Sequence, residues 1–150
     1  MTTTPEADIH FTATGEEDGK TLLFRSLRKI PEGSNPADYP YLVTIFWPYV
    51  AVDDGGMPDA DTNEDQIEFE EAISHLDSKG TGHLMLVVTG NGSKEWNWYV
   101  ADVNSWMEQL NTALSERAEF PIEIENCQQP DWSLYHDFIS GVEGINQPIS

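Results

Sequence analysis

The segment from His83 to Val100 constrains the fold more than any other part of the chain. It reads His83-Leu84-Met85-Leu86-Val87-Val88-Thr89, then Gly90-Asn91-Gly92-Ser93, then Glu95-Trp96-Asn97-Trp98-Tyr99-Val100. Two runs of strand length, rich in β-branched and aromatic residues, flank an Asn-Gly pair that tolerates the positive φ angles of a reversal. A β-hairpin is expected here. Tyr41-Leu42-Val43-Thr44-Ile45-Phe46-Trp47, ended by Pro48, is almost wholly apolar and reads as a central strand covered on both faces.

Residues 51–63 hold Gly55, Gly56, Pro58 and four aspartates and are expected to form a polar loop. Thr62 or Asn63 is the expected cap of a first helix, with Glu64 and Asp65 in its first turn, where the helix dipole favours negative charge. Phe69, Ala72, Ile73 and Leu76 then recur at i, i+3, i+4 and i+7, the apolar face of a helix ending near Ser78 to Gly80. A second helix is expected after Asp102, with Val103, Trp106, Met107, Leu110, Ala113 and Leu114 at helical spacing. So regular a stripe reads as core and not as a cofactor box. Pro121-Ile122-Glu123-Ile124-Glu125 alternates as a half-exposed strand, and residues 130–139 read as a short helix starting at Pro130 or Asp131.

Upstream, residues 8–13 and Lys20–Leu27 flank the polar run 14–19, a hairpin whose loop is expected to exceed two residues. Pro31, Gly33, Ser34, Asn35 and Pro36 make an irregular connection to Tyr41. From Tyr41 onward the order is strand, helix, strand, strand, helix, strand. The expected fold is therefore α+β: a ferredoxin-like split βαββαβ antiparallel sheet with both helices on one face. An added N-terminal hairpin would extend the sheet and a short C-terminal helix would close one end. A length of 150 residues suits one domain, with 1–7 and 141–150 expected to be frayed tails.

The chain carries 7 Lys+Arg against 27 Asp+Glu, a formal net charge of −20. Such a surface repels phosphate and anionic lipid, so neither nucleic acid nor an anionic membrane is an expected partner. With 39% hydrophobic residues, the chain lies outside the composition of disordered proteins. The start Met1-Thr2-Thr3-Thr4-Pro5-Glu6 has neither the basic residues nor the apolar run of an export signal, and no stretch approaches the ~18 apolar residues of a membrane span. Cys127 is the one cysteine and cannot form an internal disulfide. The cytoplasm is the expected compartment.

The acidic residues are not spread evenly. Between Lys29 and Lys79 there are 12 of them and no Lys or Arg, and ten of these fall between 53 and 77. Like charges so close repel one another, by roughly 1 kcal/mol per unscreened contact pair in water. The functional expectation is docking to a basic protein surface through Asp59, Asp61, Glu64, Asp65, Glu68 and Glu71, where opposed potentials speed encounter. The alternative is a solvated helix face that confers solubility alone.

Other constellations are weaker. Asp59-x-Asp61-x-Asn63-x-Asp65 with Glu70 at the twelfth position has calcium-loop spacing, but the sixth position is Glu64 where the sharp turn needs Gly. His10, His75, His83 and His136 lie in four different elements without metal-binding spacing, and neither a metal nor a cofactor is expected. No G-x-S-x-G motif is present, and Cys127 has no basic neighbour to activate it. Aromatic residues on the strands could stack nucleobases, but the shortage of cations argues against it.

The run Asn91-Gly92-Ser93-Lys94-Glu95-Trp96-Asn97-Trp98-Tyr99-Val100-Ala101-Asp102, the helix from Trp106 to Leu114, Phe120-Pro121-Ile122-Glu123-Ile124 and Asp131-Trp132-x-x-Tyr135-x-x-Phe138 together carry a resemblance. Tyr39-Pro40-Tyr41 and Gly56-Met57-Pro58 add to it. Over most of its length the chain resembles the bacterial family catalogued as domain of unknown function 695. The resemblance implies no activity and no catalytic residues. Some relatives carry a neighbouring domain similar to regulator of ribonuclease activity B, an acidic protein inhibitor of ribonuclease E, which favours a protein-binding role. The first expectation is accordingly a non-enzymatic binding or inhibitor module, such as a nuclease regulator or immunity protein. The alternative is a small-ligand domain or minor enzyme with a pocket near the C-terminal helix, using Asp131, Tyr135 and His136.

Overall fold

A computed structural model describes residues 10–17, 19–27, 29–51, 56–117 and 120–146. It is a mixed α+β fold built on an open antiparallel sheet of six strands: β1 (His10–Glu17), β2 (Lys20–Leu27), β3 (Tyr41–Pro48), β4 (Gly82–Gly90), β5 (Ser93–Val100) and β6 (Glu123–Gln128). The helices are α1 (Ala60–Ile73), α2 (Val103–Leu114) and α3 (Ser133–Asn146), with 3-10 turns at Pro36–Asp38 and Ser74–Leu76. The strands lie in the order β1-β2-β4-β5-β3-β6. The apolar strands β3, β4 and β5 therefore fill the centre, and β6 closes one edge with exposed Glu123 and Glu125, charges that discourage further pairing.

Alternation along the central strands splits the apolar residues into two cores. On one face Val43, Ile45 and Trp47 of β3, Val87 of β4 and Trp96, Trp98 and Val100 of β5 pack with Phe69 and Ile73 of α1, Leu76, and Trp106 and Leu110 of α2. Fully buried aromatics dominate this layer. At about 25 cal/mol per Å² and roughly 150–250 Å² per ring, each contributes several kcal/mol as an upper figure. On the other face Leu42, Met85 and Tyr99 pack with Leu27, Tyr39, Trp132 and Tyr135. The expected short terminal helix thus covers the second face of the sheet instead of closing an end, and it runs on to Asn146.

A β-bulge between Leu84 and Leu86 makes Met85 the extra residue and lets it join the second core. Asn97, buried in the middle of β5, has its carbonyl oxygen 2.9 Å from the hydroxyl of Thr44, which donates to it, and its amide donates to the carbonyl of Leu86 at 3.3 Å. Its polar ends are therefore satisfied.

Three local expectations are corrected. Glu17 pairs with Lys20, so only two residues separate the strands, and Gly19 takes φ +79, the left-handed conformation that a tight reversal needs. Helix α1 begins at Ala60, and its cap is Asp59, whose carboxylate accepts from Thr62 N at 2.7 Å. Thr62, Asn63, Glu64 and Asp65 are consequently inside the helix. The C-terminal helix starts at Ser133 because Trp132 takes φ +55, a left-handed conformation that α-helix cannot contain. Asp53, Asp54 and Gly55 of the acidic loop, and residues 1–9 and 147–150, lie outside the described residues.

Candidate functional site

On α1 the buried positions Gln66, Phe69 and Ile73 face the sheet, which fixes what the other face presents. Asp61, Glu64, Asp65, Glu68 and Glu71 are all exposed, as is the cap Asp59. At 100° per residue the five helical carboxylates span an arc of about 120°. Ile67 borders that arc and is 47% exposed. Glu68 accepts from Arg117 of the α2 terminus at 3.1 Å, an exposed pair that contributes little to stability. The six sequence-selected acids are thus brought onto one outer surface. Asp61, Asn63 and Asp65, two positions apart on a helix, point about 200° apart in succession and do not form a cation loop. Among the described residues no group of three His, Cys, Asp or Glu is placed to hold a metal ion.

Glu70 belongs to the same helix but turns the other way. Its Oε1 accepts from Arg25 of β2 and, at 2.8 Å, from the indole N–H of Trp96. Burial pushes the Glu70 carboxyl up, but the Arg25 hydrogen bond and charge, the Trp96 bond and the charge of Lys94 together hold it below the usual range. Lys94 lies 5.3 Å from the centroid of the Trp96 ring, and its ammonium is pushed down by burial, with Glu70 opposing. Beside this cluster is a cleft of about 420 Å³, walled by Arg25, Glu70, Ser74, Asp77, Met85 and Trp98 among others. The Trp98 indole N–H, at 1% exposure of the residue, has no hydrogen-bond partner among the described residues.

Of the residues expected at a pocket near the C-terminal helix, Tyr135 is committed to packing and Asp131 to capping. Tyr135 is buried and donates its hydroxyl to the carbonyl of Leu27 at 2.8 Å. Asp131 accepts from Ser133 N at 3.2 Å, and Gln129 Oε1 accepts from Leu134 N at 2.9 Å and from the hydroxyl of Tyr99, so both cap the start of α3. His136 is exposed, its ring tilted on Tyr135 at 5.6 Å. Cys127 is exposed on β6.

One grouping was not legible in the sequence. His83 Nδ1 lies 3.1 Å from Asp77 Oδ1, and His83 Nε2 lies 2.9 Å from Ser34 Oγ. Asp77 and His83 flank a turn closed by Ser78 N to Gly82 O at 2.9 Å and Gly82 N to Ser78 O at 3.1 Å. Ser34 arrives from the irregular connection before β3. The six-residue spacing of Asp77 and His83 was the signal available, and without the fold nothing linked it to Ser34.

The model for a family of unknown function, DUF695, matches residues 12–140, and the chain belongs to that family. Neither the curated proteins nor the solved structures contain a match. Among the described residues, no helix is long and apolar enough to cross a membrane.

Proposed function

We propose that this protein is a docking module that offers the outer face of α1 to a cationic surface on another protein, in the manner of a nuclease regulator or immunity-type inhibitor. The observation that carries the reading is the single arc of exposed carboxylates from Asp61 to Glu71, capped by Asp59 and bordered by exposed Ile67. Opposed potentials raise association rates, and an exposed apolar side chain at the border of the charged arc adds a contact that suits a protein partner. The lone cysteine fits a reducing, cytoplasmic setting. In fold terms we assign β3-α1-β4-β5-α2-β6 to a ferredoxin-like split βαβ unit. The order β4-β5-β3-β6, the antiparallel pairing throughout and the packing of both helices into one core support it.

The test is affinity capture with a triple charge reversal, Glu64→Lys, Glu68→Lys and Glu71→Lys. A control of equal net charge carries Glu16→Lys, Glu108→Lys and Glu125→Lys. Capture of one basic protein that weakens steeply with salt, fails for the α1 variant and persists for the control is the expected result. Equal capture by all three proteins would refute the reading.

A second reading rests on the cleft against α1, where the unpartnered Trp98 N–H marks its wall. A small polar ligand with an acceptor for that N–H would raise the melting temperature in a thermal-shift screen. Arg25→Ala should remove the shift, and a screen without any stabilising compound would count against the cleft.

A further inference from the structure

We propose that Ser34, His83 and Asp77 form a nucleophilic relay that hydrolyses small, activated carboxylic esters: Ser34 Oγ attacks, His83 is the general base, and Asp77 orients the ring. An ionised carboxylate only accepts hydrogen bonds, so the contact of Asp77 Oδ1 with His83 Nδ1, at 3.1 Å, places the ring proton on Nδ1. Nε2 then carries the lone pair, and at 2.9 Å the hydroxyl of Ser34 donates into it. That is the tautomer and the direction of polarisation that make a serine nucleophilic.

The surroundings hold the ring and leave Ser34 only partly covered. His83 is 5% exposed, and the buried Tyr39 ring lies against it with centroids 4.8 Å apart. Gly80 N donates to the Tyr39 hydroxyl at 2.8 Å, and Trp132 Nε1 donates to the Tyr39 carbonyl at 2.9 Å, so the turn bearing Asp77 and His83 is tied to the chain that bears Ser34. Ser34 itself is partly exposed. The preceding Gly33 has φ +82, and a Cβ built there would lie 3.6 Å from Lys79 Nζ. The ammonium of Lys79 therefore lies close to the backbone of the residue that precedes the nucleophile.

The donors on hand set the substrate class. Ser34 N is already given to the carbonyl of Pro31 at 3.1 Å, so it does not serve the oxyanion. Each such donor is worth about 10²–10³ in rate, and its loss favours esters with good leaving groups over amides. In the first half-reaction a bond forms from Ser34 Oγ to the acyl carbon as the hydroxyl proton passes to His83 Nε2. The carbon–oxygen bond to the leaving group then breaks, and the leaving alcohol takes that proton. Water attacks the acyl-serine with His83 again as base, and the carboxylic acid departs as Ser34 regains its proton.

The relay shares no residue with the outer face of α1, so the two proposals stand or fall separately. The experiment exposes the native protein to a fluorophosphonate probe and maps the adduct by mass spectrometry, with 4-nitrophenyl acetate hydrolysis measured in parallel. A single adduct on Ser34 is expected, with neither adduct nor hydrolysis in Ser34→Ala. Asp77 is a positioning residue, so Asp77→Asn should slow labelling by about 100-fold or more while leaving the melting temperature unchanged. A second variant, Ser34→Cys in a Cys127→Ser background, should react with iodoacetamide about ten times faster than Cys127 does in the native protein. No adduct on Ser34, Asp77→Asn labelling at the native rate, or an introduced thiol that reacts no faster than Cys127 would each overturn the relay.

Discussion

Trp132 lies flat on Tyr99, their ring centroids 4.4 Å apart and their planes 8° from parallel. The contact joins the left-handed residue before α3 to the C-terminal end of β5, and both rings are completely buried. It fixes α3 on the second face of the sheet. Trp132→Ala should therefore cost about 3–5 kcal/mol of unfolding free energy, because a buried indole leaves both a cavity and a lost stack. Urea denaturation measures this, and a loss under about 1 kcal/mol would mean that α3 is not anchored there.

That anchor also marks the limit of what could be read in advance. The hairpin of β4 and β5, the apolar run of β3 and the apolar faces of α1 and α2 follow from local spacing, because each element's burial is written into its own residues. The place of α3 depends on Trp132 meeting Tyr99, which lies far away in sequence and belongs to a strand whose neighbours Trp98 and Val100 face the opposite core. The acids of α1 were legible as one exposed surface because helical period alone sorts them from Phe69 and Ile73. Ser34 was not legible, since it shares no element with Asp77 or His83.

Glu70 makes stability depend on pH in a defined direction. Its folded carboxyl titrates below the usual range, so its contribution is fully present above the ordinary carboxylate pKa and is lost as the pH falls through the lower, folded value. Glu70→Gln should cost on the order of 1–2 kcal/mol near neutrality, a modest figure because the Arg25 side chain is 37% exposed. The difference between the two proteins should shrink in acid. A difference that grows on acidification would contradict the pairing.

Gln66 is fully buried, and neither its amide nitrogen nor its amide oxygen has a partner among the described residues. An unmade hydrogen bond in the interior costs about 1–3 kcal/mol per group. Gln66→Met, of similar shape, is expected to leave the protein as stable or more stable by about 1 kcal/mol in thermal or urea melts. Clear destabilisation would show that the amide is satisfied in solution.

Gly90 closes β4 with φ +146, and a Cβ there would come within 2.6 Å of the Thr21 carbonyl oxygen. Neither the backbone angle nor the space suits a side chain. Gly90→Ala should lose about 2–4 kcal/mol and disturb the pairing of β2 with β4, visible as faster amide exchange in β1 and β2. Native exchange rates in that variant would contradict the register.

The docking proposal is tested most directly by carboxylate footprinting of the protein alone and in complex with its captured basic partner. Labelling with a carbodiimide and an amine should fall at Glu64, Glu68 and Glu71 on binding, while Glu123 and Glu125 on β6 label as before. Protection confined to β6 or to α3, with α1 labelled as freely as in the unbound protein, would contradict the proposal.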